Sequence, residues 1–153
     1  TFKNSMEIFG HEYYMQKALN EAKSAYSKGE IPVGAVVVAA GRIIARAHNL
    51  TELLNEVTAH AEMQALTAAA NHLGGKYLDQ CTLYVTVEPC VMCAGAISWA
   101  QVGTLVYGAS DEKRGYRRYA PEALHPKTKV VEGILKEECA DLMRKFFEAR
   151  RVK

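Results

Sequence analysis

The segment from Cys81 to Ala109 limits the possible folds more than any other part of the chain. It begins with the β-branched run "CTLYVTV", continues through Glu88-Pro89 into "CVMCAGAISWA", and ends with "TLVYGA". Proline is common at the first position of a helix, so this order predicts a strand, a helix that starts at Pro89, and a second strand. Such a unit favours two parallel strands joined by a right-handed crossover. The expected class is therefore α/β.

The other segments extend this pattern on both sides. The stretch "HEYYMQKALNEAKSAYSKGE" has apolar residues at three- and four-residue spacing and predicts an amphipathic helix that ends near Gly29. The stretches "VGAVVVAA" and "RIIARAHN" flank Gly41 and predict a hairpin. We expect further helices over residues 58–73 and 136–150, and a short strand at "KVVEG". The prediction is a three-layer α/β fold, with a mixed five-stranded sheet and helices on both faces.

Length and composition indicate one domain without a membrane span. The chain has 153 residues, 49% hydrophobic and 24% charged, which suffices for one ordinary core. Its longest apolar run, "VGAVVVAAG", is far shorter than the roughly 20 residues of a membrane helix. The net charge of +2 indicates no strongly basic coat, although a local basic patch is compatible with it. We expect a single domain over residues 1–153 in a soluble, cytoplasmic protein, with residues 1–5 as a non-native or disordered extension.

Two predicted helix starts carry side chains that bind metals. His60 and Glu62 open one helix, and Cys90 and Cys93 open the other. The positive end of a helix dipole favours thiolates, and cysteines three residues apart project from one helix face. Two thiolates and an imidazole suit a tetrahedral zinc ion whose fourth position holds a water with a pKa near 7. Glu62, without ligating the metal, could take a proton from that water and pass it to a ring nitrogen and then to a leaving amine.

Other interpretations of these residues stay open at this point. A redox dithiol would explain the two cysteines but would give Glu62 no role. A structural zinc would need a fourth protein ligand. The histidines considered for that ligand, none favoured by its spacing, are His48, His72 and His125. Cys81 in a predicted buried strand and Cys139 in the last helix are interpreted as packing residues.

The two motifs together form a known pattern. His60-Ala61-Glu62 and Pro89-Cys90-Val91-Met92-Cys93 match the H-x-E…P-C-x-x-C signature of zinc nucleobase deaminases. Similarity continues from about Met15 to Arg151, through "GEIPVGAVVV", "LYVTVEPCVMCAGAI", "VYGASDEK" and "GILKEECADLMRKFFEARR". The chain resembles the bacterial tRNA adenosine deaminases, a family of the cytidine-deaminase-like superfamily. The resemblance implies a homodimer with one zinc ion per subunit and active sites near the subunit interface. It also implies hydrolytic conversion of adenosine to inosine at the wobble position of a tRNA anticodon, with release of ammonia.

The resemblance further implies roles for individual residues. The zinc ligands carried over by position are His60, Cys90 and Cys93, and Glu62 is the proton shuttle. The substrate-binding residues carried over are Pro32, Val33, Asn49, Asp111, Lys113, Phe147 and Arg150. Among these, Asn49 would hydrogen-bond the purine in a pocket lined by Pro32 and Val33. Asp111 and Lys113 would lie near the flanking nucleotides, and the terminal helix would touch the RNA.

From the residues alone, these substrate positions also have structural interpretations. Asn49 after a strand is typical of a turn, residues 111–113 of a solvated turn, and Phe147 of core or dimer packing. The basic and aromatic residues 113–119 suit phosphates and unstacked bases. The chain departs from the family in this region, which is rich in Arg and Tyr, and at Glu56-Val57, where the family has Asp-Pro.

Two alternative functions accompany the main expectation. A deaminase of a free base or nucleoside, such as guanine or cytosine, would use the same zinc chemistry with a different substrate pocket. A noncatalytic zinc-binding subunit of an editing complex would have no use for the Glu62 carboxylate. On the resemblance, we expect a zinc-dependent hydrolase that acts on adenosine in tRNA.

Overall fold

The computed structural model describes residues 2–151, with side chains from Gly10 onward, as a five-stranded sheet between two layers of helices. In chain order the elements are α1 (Phe2–Ser27), β1 (Gly34–Ala39), β2 (Arg42–His48), α2 (Thr51–Leu54), α3 (Ala61–Leu73), β3 (Cys81–Val87), α4 (Val91–Trp99), β4 (Thr104–Ala109), α5 (Tyr116–Tyr119), β5 (Lys129–Glu132) and α6 (Lys136–Arg151). Of the expected extension, Thr1 lies outside the described residues, and residues 2–5 belong to the backbone of α1. No helix in this range is both long and apolar enough to cross a membrane.

The sheet has the strand order β2-β1-β3-β4-β5. Strand β1 is antiparallel to both of its neighbours, whereas β3, β4 and β5 run parallel. The predicted hairpin is the β1–β2 pair, and the predicted parallel crossover is β3–α4–β4. The mixed five-stranded sheet and the α/β class are therefore confirmed.

The side chains along each strand alternate in direction, and this divides the apolar residues of the sheet between two cores. The core that includes residues of α3 and α4 contains Val37, Leu83 and Leu105. The opposite core, which includes residues of α1 and α6, contains Val36, Tyr84 and Val106. Successive side chains of a strand point to opposite faces, so each central strand contributes to both cores. The sheet is consequently covered by helices on both faces, as predicted.

The second predicted helix begins three residues later than expected, at Ala61 instead of Thr58. His60 has an extended backbone and is the residue that caps the helix start, with its carbonyl accepting the Gln64 N–H at 3.2 Å. The carbonyl of Ala59 is occupied outside the helix, because it accepts the N–H of Leu50 at 3.0 Å. His60 therefore lies at the mouth of α3, and only Glu62 lies in its first turn.

The prediction that Pro89 is the first helical residue is wrong. Helix α4 begins at Val91, and Cys90 caps it with an extended backbone while its carbonyl accepts the Ala94 N–H at 2.8 Å. Cys90 also pairs with Gly115 in an isolated antiparallel bridge. This distant pairing holds the backbone at Cys90 extended, which a local helix signal could not reveal. The short helices α2 and α5 were not predicted either.

Candidate active site

The starts of α3 and α4 bring three potential metal ligands together. The Nδ1 atom of His60 lies 3.6 Å from Sγ of Cys90 and 3.5 Å from Sγ of Cys93. All three ligand atoms lie within 4.8 Å of one another. Within the described residues, no other group of three or more His, Cys, Asp or Glu side chains has its ligand atoms this close together. The two sequence motifs thus converge on one point at the carboxyl end of the parallel strand β3.

The spacing of the three atoms can be compared with a tetrahedral zinc site. With Zn–S of about 2.3 Å and Zn–N of about 2.0–2.1 Å, a thiolate sulfur and an imidazole nitrogen lie about 3.5–3.6 Å apart. The two nitrogen–sulfur distances at His60 have these values. Two sulfur donors and one imidazole nitrogen are also the donor types that zinc prefers. The cluster could therefore hold zinc with little rearrangement of its side chains.

The cluster changes the proton affinities of its own members. Hydrogen bonding from Cys93, supported by His60, lowers the pKa of the Cys90 thiol to about 4. Hydrogen bonding to Cys90 raises the pKa of His60, and the same neighbour raises that of the Cys93 thiol. Cys90 is thus a thiolate at neutral pH even before a metal binds, and a thiolate is the form that ligates metals.

Glu62 supplies a buried carboxyl group beside this cluster. Its side chain raises the pKa of the neighbouring Cys93 thiol, and the residue is only 4% exposed. Burial raises the pKa of Glu62 to about 7, while its own backbone and His60 act in the opposite direction. A carboxyl group with this pKa can both accept and donate a proton near neutral pH.

Three of the predicted substrate residues lie on the loops next to α3. The N–H of Asn49 donates to the carbonyl of Val33 at 3.1 Å, which joins the end of β2 to the loop before β1. Gln64 of α3 donates from Nε2 to the carbonyl of His48 at 2.9 Å. Asn49 is buried, and its Oδ1 accepts the N–H of Thr51 at 3.3 Å, as a turn residue would. The structure therefore brings Asn49, Val33 and the adjoining Pro32 to the start of α3.

Asp111 and Lys113 lie on the opposite side of the cluster, in the loop after β4. The Oδ1 atom of Asp111 accepts the N–H groups of Lys113 and Arg114 at 3.1 and 3.0 Å, which is the geometry of a polar turn. Lys113 is exposed. The loop is connected to the cluster through Gly115, which pairs with Cys90.

Phe147 and Arg150 are located at the end of α6. Among the described residues, Phe147 packs edge-on against Phe146, and Arg150 lies over the Phe146 ring, 4.5 Å from its centroid. Arg150 also donates from Nη2 to the carbonyl of Gly29 at 2.6 Å. These contacts tie the end of α6 to the loop after α1.

Two buried carboxylates at the site were not singled out by the sequence motifs. Glu30 accepts the N–H groups of Glu52 and Leu53 at 3.0 and 2.8 Å, and thereby holds the start of α2. Glu88 lies directly before the Pro89-Cys90 turn and accepts backbone N–H groups from the loop after β4. The sequence does contain a sign of these buried carboxylates, because "GEIPVG" and "VTVEPC" each place a glutamate next to apolar residues.

Sequence comparisons show that the chain is similar to known deaminases. The profile of the MafB19-like deaminases matches residues 9–151. The chain is 46% identical over 147 residues to the tRNA-specific adenosine deaminase of Bacillus subtilis, covering 93% of the chain and 91% of that protein. It is 44% identical over 144 residues to the tRNA-specific adenosine deaminase of Streptococcus pyogenes serotype M18, covering 91% of each.

Solved structures show the same relationship. A structure from a study of A-to-I editing by tRNA:A34 deaminases at the wobble position has a TM-score of 0.80 and 44% identity, covering 85% of this chain and 98% of that one. A guanine deaminase from Bacillus subtilis has a TM-score of 0.63 and 38% identity, covering 75% of this chain and 71% of that one. The chain therefore belongs to the MafB19-like deaminases and, as the sequence pattern indicated, to the family of tRNA-specific adenosine deaminases.

Proposed function

We propose that the chain converts adenosine to inosine at the wobble position of a tRNA anticodon. Water adds its oxygen at C6 of the purine, and the exocyclic amino group leaves as ammonia. The observation that carries the proposal is the meeting of three metal donors and a buried carboxyl group at two helix starts. The identity of 42–46% to tRNA-specific adenosine deaminases supports adenosine in tRNA as the substrate.

The proposed cofactor is one zinc ion per subunit, held by His60, Cys90 and Cys93. Three side chains make up the group within the described residues, so a fourth position is left for water. Zinc bound there lowers the pKa of water and supplies a nucleophile at neutral pH. The nitrogen–sulfur distances in the cluster support this choice of metal.

Glu62 is the proposed catalytic acid and base. Its carboxyl oxygen takes a proton from the attacking water, donates it to N1 of the purine, and moves the second proton to the departing amino group. A pKa near 7 allows both directions of transfer. The carboxyl group is buried beside Cys93 and is not part of the group of potential metal ligands.

The proposed substrate contacts surround this centre. Asn49 recognises the purine next to Pro32 and Val33, and the exposed loop with Asp111 and Lys113 meets the flanking nucleotides. Phe147 and Arg150 contact the RNA further out. An anticodon loop presents bases that are already unstacked, so inserting one adenine costs less than extracting it from a duplex.

The proposed assembly is a homodimer formed through α4. Three large apolar side chains on this helix, Val91, Met92 and Trp99, are exposed, and Trp99 is 85% exposed. An apolar strip of this kind is typical of a protein interface. Since α4 also carries Cys93, the interface would lie close to the active site. We further propose that the full sequence forms one catalytic domain that acts in the cytoplasm, where tRNA is present.

The decisive experiment measures turnover by zinc-loaded protein on an anticodon stem-loop with adenosine at the wobble position. Free adenosine, guanine and cytosine are assayed in parallel, and the products are separated by mass. We expect inosine in the stem-loop. We also expect Glu62→Gln to lower kcat by a factor of about 100 to 10,000 without loss of zinc, because proton transfer is removed.

The main alternative is deamination of a free base. The similarity to a guanine deaminase structure at 38% identity is the observation that favours this alternative. Conversion of guanine with an untouched stem-loop would contradict the RNA substrate while retaining the metal and Glu62. Full activity of the Glu62→Gln enzyme would contradict the role of Glu62 for either substrate.

A further inference from the structure

The segment after β4, residues 110–119, contains a loop and the short helix α5 and is held by a buried carboxylate. The Glu88 side chain is only 3% exposed. Its Oε1 accepts the N–H of Asp111 at 3.2 Å, and its Oε2 accepts the N–H of Arg117 at 3.1 Å. The Arg117 guanidinium adds a charged hydrogen bond from Nη2 to Oε1 at 3.2 Å. One carboxylate therefore binds both ends of the segment that was expected to face RNA.

Although the Arg117 side chain is 42% exposed, both of its terminal guanidinium nitrogens are bonded within the protein. Its Nη1 lies 2.6 Å from Oε2 of Glu132 on β5, and its Nη2 donates to Oγ of Ser110 at 3.0 Å. The guanidinium also lies over the ring of Tyr107, 5.4 Å from the centroid. These partners compete with phosphates for the Arg117 guanidinium, whereas the side chains of Lys113 and Arg114 in the same segment are exposed. Arg117 is thus bonded to its own protein within an exposed basic segment.

The backbone around Glu88 is packed closely against the same segment. A Cβ atom at Gly115 would collide with the Glu88 carboxylate, so the segment approaches Glu88 as closely as glycine permits. The N–H of Tyr116 donates to the carbonyl of Pro89 at 2.9 Å, and Gly115 pairs with Cys90. The segment therefore contacts the Pro89-Cys90 turn, which carries a candidate metal ligand. Because Glu88 binds the segment at Asp111 and Arg117, a shift of Glu88 would displace both positions.

We infer that Arg117 is a positioning residue that holds the 110–119 segment, with Asp111 and Lys113, in place for the nucleotides that flank the reacting adenosine. The inference rests on the proposed RNA substrate. Removal of Arg117 leaves the Glu88 carboxylate buried without its cationic partner, and such a charge forces rearrangement or uptake of water. The segment then loses its fixed position, while the metal cluster and Glu62 keep theirs. Arg117 thereby affects RNA affinity without touching the reacting base.

The test compares wild type with Arg117→Gln, Arg117→Lys and the control Arg42→Gln. Arg42 is exposed at the start of β2, so its substitution removes the same charge without affecting Glu88. For each protein we measure kcat and KM on the wobble-adenosine stem-loop, zinc content, and hydrogen exchange of the amides of residues 111–117. Lysine keeps the charge but lacks the two-nitrogen fork, and it serves as the folded variant if glutamine prevents folding.

We expect Arg117→Gln to raise KM about tenfold, with kcat within about twofold of wild type, because misplacement of binding groups mainly weakens substrate capture. Exchange of the amides of residues 111–117 should accelerate in Arg117→Gln. Arg117→Lys should have an intermediate KM and exchange rate, and Arg42→Gln should match wild type in both. Unchanged KM and exchange would overturn the inference. So would loss of zinc and kcat at constant KM, because the network would then serve the metal turn instead. If wild type leaves the stem-loop unchanged, the proposed function fails, whereas the exchange measurement still shows whether Arg117 holds the segment.

Discussion

At the scale of single residues, the raised pKa of Glu62 has a consequence for the stability of the metal-free protein. Burial favours the protonated carboxyl in the folded state, so the pKa rises from 4.5 to about 7. The resulting stabilisation is complete below about pH 4.5 and is lost as the pH rises through 7. Relative to Glu62→Gln, metal-free wild type should therefore lose on the order of 3 kcal/mol of unfolding free energy across this window.

Urea unfolding of both metal-free proteins at a series of pH values measures this loss. The exposed Glu56 provides a control, because Glu56→Gln should run parallel to wild type across the window. If the unfolding free energies of wild type and Glu62→Gln differ by the same amount at every pH from 4.5 to 7.5, the assigned environment of Glu62 is contradicted.

The four cysteines should differ in reactivity for electrostatic reasons. Neighbouring groups lower the pKa of Cys90 to about 4, whereas burial raises that of Cys139 to about 12. Because the thiolate is the nucleophile, Cys90 of the metal-free protein should react first with iodoacetamide at pH 7, and zinc should suppress this reaction. Mass spectrometry of peptides identifies the labelled residue. Labelling of Cys139 as fast as Cys90 in folded protein would show that these environments are wrongly assigned.

At the scale of elements, the contact between α1 and β1 depends on the absence of a side chain at Gly34. A Cβ atom there would collide with the backbone of α1 at Ala18 and Ala22, which cannot move aside as a flexible side chain could. Gly34→Ala should therefore destabilise the fold by about 1–3 kcal/mol, the usual effect of overpacking. Gly10→Ala on α1 is the matched control, since nothing lies within 4 Å of its added Cβ. Equal melting temperatures of the two variants would contradict the close approach.

The starts of α3 and α4 show how far local signals determine an element. The helices themselves were predicted, because apolar spacing and small residues are properties of neighbouring positions. The first residues were not predicted correctly, since His60 and Cys90 keep extended backbones through contacts made elsewhere. At Cys90 the contact is the bridge to Gly115, a residue two elements away. Two of the three candidate metal donors, at His60 and Cys90, therefore lie just outside α3 and α4, whereas Cys93 lies in the first turn of α4.

At the scale of the whole molecule, the exposed strip of α4 predicts how copies of the chain associate. Trp99→Glu places a charge in this strip and should shift the proposed dimer towards monomer, because an apolar interface excludes an unpaired charge. Sedimentation equilibrium over a range of concentrations measures the change. Tyr77→Glu, at another exposed aromatic residue outside α4, should leave the mass unchanged. A wild-type monomer, or a Trp99→Glu dimer of unaltered affinity, would contradict an interface on α4.

The sequence by itself determined the α/β class, the five strands, the three residues that could hold a metal and the carboxyl group beside them. Those features depend on residue types at short, regular spacing and on two motifs whose pattern is specific. Only the tertiary structure decided that Glu88 accepts hydrogen bonds from the 110–119 segment, that Arg117 is an ion-pair partner of Glu88, and that Arg150 lies against the loop after α1. These pairings join residues far apart in the chain. A buried carboxylate such as Glu88 needs hydrogen-bonding and charged partners, and only the folded chain shows which residues lie close enough to provide them.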